Sequence, residues 1–217
     1  MKNILSILAV LLISACAYTP QDAKLSAHAQ IENSNIGAGT LIEVKVHDER
    51  TSKSLGHRGA AAFKGAKITT GQDIAALLHS ALTEAYTKKG FVFNNSDNLI
   101  PAKIRVDLRE FNYYTSTGFW TGGVHTKAAA KISLPGTEFE QMYAIENEER
   151  VVFVPGASKN EQLLNQTLSL LIEQIVNDPK LTNAIISQKE NTETPNDNQD
   201  DQKVVAEETA PVEGVEK

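Results

Sequence analysis

The sequence predicts an α+β domain in which a mainly antiparallel sheet of four to five strands carries two amphipathic helices on one face. Two stretches, 70–90 and 158–179, repeat apolar residues at three- and four-residue steps, the period of a helix with one buried stripe. The stretches between and before them alternate apolar and polar residues, as half-buried strands do. The order is strand, helix, three or four strands, helix. That order makes the later strands a meander and leaves both helices to cover one face.

Ile42, Val44 and Val46 alternate with Glu43, Lys45 and His47 in a first strand, and Gly56, Gly59 and Gly65 mark the loop after it. Thr70 and Asp73 have the spacing of a capping box. Behind them Ile74, Leu77, Leu78, Ala81, Leu82, Ala85 and Tyr86 form one helical stripe. Lys88 and Lys89 suit the negative end of that helix, and Gly90 suits the left-handed position beyond it. Phe91, Val92 and Phe93 begin a strand that breaks at Asn94-Asn95. Ala102, Ile104, Val106 and Leu108 alternate with Lys103, Arg105, Asp107 and Arg109. The bulk then moves to odd positions at Phe111 and Tyr113, which a bulge near Glu110 explains.

Val124, Thr126, Ala128, Ala130, Ile132 and Leu134 carry the next strand to a hairpin turn at Pro135-Gly136. A further strand spans 139–153, with Asn147-Glu148-Glu149 as a candidate interruption. Ser158 and Glu161 repeat the capping-box spacing. Leu164, Thr167, Leu168, Leu171, Ile172 and Ile175 make the second helical stripe, which Asp178-Pro179 ends. Leu181, Ile185 and Ile186 suggest one or two helical turns more.

The first 15 residues have a signal-peptide architecture: Lys2, an apolar run over 4–13, then small residues. At about 1.5 Å per residue that run covers about 15 Å, half of a hydrocarbon core of roughly 30 Å, so it is too short to span. Cys16, the only cysteine, closes Ile13-Ser14-Ala15-Cys16. These four residues resemble the bacterial lipobox. The resemblance implies cleavage before Cys16, a diacylglycerol on its thiol and an acylated amino group. Ala17, in place of the aspartate that holds enterobacterial lipoproteins in the inner membrane, implies the outer membrane facing the periplasm. With its one cysteine acylated, the chain has no disulfide to form in that oxidising compartment.

Residues 16–40 read as the lipidated cysteine and a flexible linker, 41–188 as the domain, and 189–217 as an acidic, disordered tail. The net charge of −6 belongs to the tail, which holds three of 21 basic residues but nine of 27 acidic ones. A near-neutral domain offers no field for nucleic acid. The tail lacks aromatic residues and apolar periodicity, so burial cannot offset its ordering entropy.

The lipobox, Asp48-Glu49-Arg50 followed by Leu55-Gly56, the helix running into Lys89-Gly90-Phe91, and the closing helix before Asp178-Pro179 together resemble the YajG-type lipoprotein family over 1–188. The resemblance implies a small envelope lipoprotein without assigned enzyme activity or ligand, and a link to cell-wall metabolism.

For chemistry the residues offer little. The five histidines, His28, His47, His57, His79 and His125, include no pair at helical ligand spacing, so no metal site is expected. Convergence of His47, Asp48 and His57 is the one metal arrangement to check, and His47, Asp48 and a serine the one hydrolase arrangement. No nucleophile elbow or dinucleotide loop is present. The reading is therefore a non-catalytic protein without a cofactor other than its covalent lipid. Asp48 and Arg50, one position apart, either anchor the following loop or line a groove. Tyr113, Tyr114, Phe119 and Trp120 crowd into a glycine-rich hairpin connection and are the candidate partner contact, or else cap the sheet. The expected partner is an envelope protein or peptidoglycan. The alternative is a small-molecule or glycan module with a pocket lined by Tyr86, Phe111 and Tyr143.

Overall fold

The computed structural model describes residues 19–58, 66–93, 100–117, 122–151 and 155–193. In chain order its elements are β1 (Gln21–Asp22), β2 (Ile42–Asp48), β3 (Gly56–His57), β4 (Lys67–Thr69), α1 (Ile74–Lys88), β5 (Ala102–Thr117), β6 (Gly122–Ser133), β7 (Glu140–Val151), α2 (Ala157–Val176) and α3 (Pro179–Glu193). The α+β class holds, but the sheet is larger than expected and mixed. Seven strands run in the order β1-β4-β3-β5-β6-β7, with β2 beside the first half of β5. The antiparallel meander is confined to β5, β6 and β7. β2 lies parallel to β5 because α1 returns the chain between them, the usual route to a parallel pair. β1, β3 and β4 have two or three residues each, too few to show a period.

The predicted stripes are the buried ones. Ile74, Leu78, Leu82, Ala85 and Tyr86 of α1 and Leu164, Leu168, Leu171, Ile172 and Ile175 of α2 join the inward residues of β2, β5 and β6 in one core. The bulge is at the expected place. The register of β5 on β6 shifts between Leu108 and Glu110, and the inward positions change there from even to odd. Gly90 takes the left-handed conformation after α1, and Ser34, Gly37 and Gly39 donate their backbone N–H groups to the carbonyls of Lys88, Lys89 and Gly90.

Neither capping box forms. Asp73 itself caps α1, accepting from the Ala76 amide at 3.1 Å. Gly156 precedes α2 without a side-chain cap, and Glu161 is engaged elsewhere. β7 runs unbroken through Asn147-Glu148-Glu149. A third helix, α3, extends to Glu193, into the stretch read as tail. The signal segment, Cys16 and residues 194–217 lie outside the described residues.

The largest departure concerns the expected linker. Residues 23–31 alternate Ala23, Leu25, Ala27, Ala29 and Ile31 toward the core, with Ala23 and Leu25 at 2% and 4% exposure. The intervening amides turn to one flank of α2. Lys24 donates to Glu161 at 3.1 Å, Ser26 to Asn165 at 2.9 Å, His28 to Ser169 at 3.0 Å and Gln30 to Glu173 at 2.6 Å. On the other flank the Gln72 amide takes both backbone groups of Leu25. This stretch is an extended strap that is part of the domain.

Leu25→Ala is therefore expected to cost about 2–4 kcal/mol by urea denaturation, as a core truncation does. Lys24→Ala should stay within about 0.5 kcal/mol, as an exposed change does. Equal, negligible effects of both would return the strap to a linker.

Candidate functional site

The β5–β6 hairpin is the longest feature of the sheet. Sixteen and twelve residues pair down to Thr117 and Gly122, and β7 supports β6 along its whole length. Alternation then sorts the aromatic candidates. Tyr113 faces inward at 1% exposure, so it belongs to the core and not to a contact surface. Burial pushes its phenol up to about 12. The chain of β3 also presses against it. Gly56 has φ +136°, and a Cβ there would sit 1.8 Å from the Tyr113 carbonyl oxygen.

Tyr114 faces outward and is exposed. Its ring lies parallel to the His125 imidazole, with centroids 4.6 Å apart and planes 3° apart. Its hydroxyl donates to Glu146 Oε1 at 2.8 Å, across β6 on β7. That carboxylate raises the phenol above its ordinary range, with smaller help from desolvation and neighbouring glutamates. Ser116 Oγ meets the outer nitrogen of His125 at 3.0 Å. Tyr114, His125, Ser116 and Glu146 form a ledge held across three strands. Phe119 and Trp120 lie outside the described residues.

Asp48 and Arg50 form a clamp at the end of β2. Arg50 donates from Nε to Asp48 Oδ1 at 2.8 Å and from Nη2 to Oδ2 at 3.0 Å, and Lys53 adds a bond at 2.7 Å. Arg50 is buried. The guanidinium bond, reinforced by Lys53, outweighs desolvation and holds the Asp48 carboxyl well below the usual carboxylate range. This is loop anchoring, with both carboxylate oxygens committed inside the protein.

The triads do not assemble. His47 turns to the outer face and meets Asp107 at 3.3 Å, while Asp48, the next strand residue, points to the opposite side. Asp107 and Glu49 are paired with Arg105 and Arg109. His57 sits in β3 opposite Lys67. Among the described residues no group of His, Cys, Asp and Glu has the arrangement of a metal site.

Among the described residues, the three aromatics expected to line an interior pocket are core residues. Tyr86, Phe111 and Tyr143 are each at most 2% exposed and pack as solid core. Tyr143 donates to Asp178 Oδ2 at 2.6 Å, and burial together with that carboxylate raises its phenol far above normal. A shallow cleft of about 340 Å³ lies elsewhere, between β2 and α1, lined by Ile42, Val44, His79, Thr83, Phe93 and Pro101.

Sequence reasoning missed the polar residues that seat the strap: Gln21, Gln72, Glu161, Asn165, Ser169 and Glu173. The last four recur every fourth position, a signal for one helix flank. It also missed His125 and Glu146, which only the strand register brings to Tyr114.

Losing the Asp48 clamp should show in stability. Arg50→Ala is expected to cost about 3 kcal/mol, because it leaves a largely buried carboxylate without its main partner. Since the folded-state carboxyl is depressed, its contribution is complete above an unfolded value of about 4 and disappears as pH falls below it. The stability gap between the wild type and Asp48→Asn should accordingly be widest above pH of about 5 and close on acidification. A pH-independent gap would show that the charge does not matter.

Residues 27–186 match a family model described as an uncharacterized lipoprotein. No curated protein matches the chain. Among solved structures it is similar to a Xanthomonas campestris protein of the DUF330 family, with 12% identity over 75% of this chain and 98% of that one and a TM-score of 0.45. It is also similar to rare lipoprotein B from Shewanella oneidensis, with 14% identity over 54% and 90% of the two chains and a TM-score of 0.29. A neuraminyllactose-binding hemagglutinin homolog from Helicobacter pylori aligns at 10% identity over 74% and 95%, with a TM-score of 0.34.

Proposed function

We propose, from the premise that the chain belongs to this family of uncharacterized lipoproteins, that it is a lipid-anchored, non-catalytic binding protein of the bacterial envelope. Cys16 is its acylation site, and the periplasmic face of the outer membrane is its location, as the lipobox pattern and Ala17 suggest. The narrower YajG-type assignment rests on the residue pattern of the sequence. The partner is an envelope protein or a cell-wall component, met by the outer face of the β5–β6 hairpin.

The observation that carries this reading is the Tyr114–His125 ledge. An exposed aromatic ring is already fixed by a stacked neighbour and by a hydrogen bond to Glu146, so a partner gains contact area with little ordering cost. Phe119 and Trp120, in the sequence that joins β5 to β6, extend the proposed contact.

Crosslinking and pull-down from native membranes test it. The mature lipoprotein should capture an envelope partner. A Tyr114→Ser/Phe119→Ser/Trp120→Ser variant should lose that partner while keeping its thermal unfolding midpoint within a few degrees. Capture unchanged by the variant would move the contact off the hairpin. In parallel, Cys16→Ala should shift the protein from the membrane to the soluble fraction.

A further inference from the structure

We infer that the end of the domain formed by the N-termini of β1, β4 and α2 and the C-terminus of β7 is a lipid-facing surface, seated on the headgroups of the membrane that holds Cys16. The inference rests on the acylation of Cys16 proposed above.

Its first support is the length of free chain. Gln21 is already fixed: β1 pairs with β4, the Gln21 side-chain amide donates to the Ala157 carbonyl at 2.9 Å, and Asn160 donates back to it at 2.9 Å. From Cys16 to Gln21 is five Cα steps, at most about 18 Å fully extended. The strap leaves no further slack, because its amides are held along α2 as far as Gln30.

The second support is that the fold gathers the same end of several elements there. Buried Arg58, just after β3, donates to the carbonyls of Thr19 at 3.4 Å and Pro155 at 3.3 Å. This ties the incoming chain to the start of α2. The paired residues Thr117 and Gly122 and, next to them, Val151 close the sheet at this end. The opposite end, where β6 passes into β7 at Pro135-Gly136, lies a full β6 strand away, about 36 Å at 3.3 Å per residue.

The chemistry of this end fits a headgroup layer. Lys67 starts β4 and Arg150 is the last residue but one of β7, both exposed cations suited to anionic lipid.

Acylation blocks the thiol of Cys16, so a single added cysteine gives a unique label. Ser158→Cys, at the start of α2, and Glu138→Cys, beyond the far turn, would each carry a fluorophore on the mature protein. The protein is reconstituted in phosphatidylethanolamine–phosphatidylglycerol vesicles doped with a headgroup nitroxide. The inference predicts at least several-fold stronger quenching at 158 than at 138. Equal quenching, or stronger quenching at 138, on vesicles that carry the protein through a flotation gradient would overturn the seating alone. Failure of the protein to float would instead overturn the acylation of Cys16, and the seating with it.

Discussion

The hydrogen-bonded match between an extended strap and one flank of α2 is the constraint on which the rest of this structure depends. Alternate amides of an extended chain recur about every 6.7 Å, and every fourth residue of a helix about every 6 Å. The two repeats stay in step over a short run. Glu161, Asn165, Ser169 and Glu173 can therefore serve Lys24, Ser26, His28 and Gln30 in turn. A strap laid on a helix has no neighbouring strand to receive its alternate backbone N–H groups, which must find acceptors elsewhere. Side chains of α2 and the Gln72 amide supply what a strand would have supplied.

That arrangement shapes the domain in two ways. It seals the seam beside α1 and α2 with Ala23, Leu25 and Ile31, which join the main core. It also fixes where the chain arrives: Gln21 bonded to Ala157 and Asn160, with Arg58 tying Thr19 to Pro155. A linker of some 25 residues would have let the domain explore a wide volume above the membrane. The strap leaves only a few residues between Cys16 and the folded domain, so the acylation proposed for Cys16 would bear on the position of the domain as well as on its retention.

Much of the fold was legible because its long elements carry their periods openly. The stripes of α1 and α2, the alternation of β5 and β6, the bulge near Glu110 and the left-handed Gly90 follow from spacing alone. The strap had a period too, Ala23, Leu25, Ala27, Ala29 and Ile31, but three alanines give a weak apolar signal, and Pro20 and nearby polar residues read as a loop. The short strands β1, β3 and β4 are defined by their neighbours and show no pattern of their own. Parallel pairing of β2 with β5 depends on the path of α1, which local sequence does not encode. At the candidate site, Tyr114 was legible as an aromatic in a hairpin. Its separation from Tyr113 came from the bulge-shifted alternation, and its partners His125 and Glu146 came from strand register. Asp48 and Arg50 were legible as a pair, and their burial decided between anchor and groove.

Residue-resolved amide hydrogen exchange over 24–30 tests the central claim most directly, with a free peptide of residues 17–32 as the reference. The account predicts that the amides of Lys24, Ser26, His28 and Gln30 exchange much more slowly in the domain than in the peptide, because each is bonded to α2. Exchange of these amides at the peptide's rate would contradict it, and the strap would then be a linker resting on the surface.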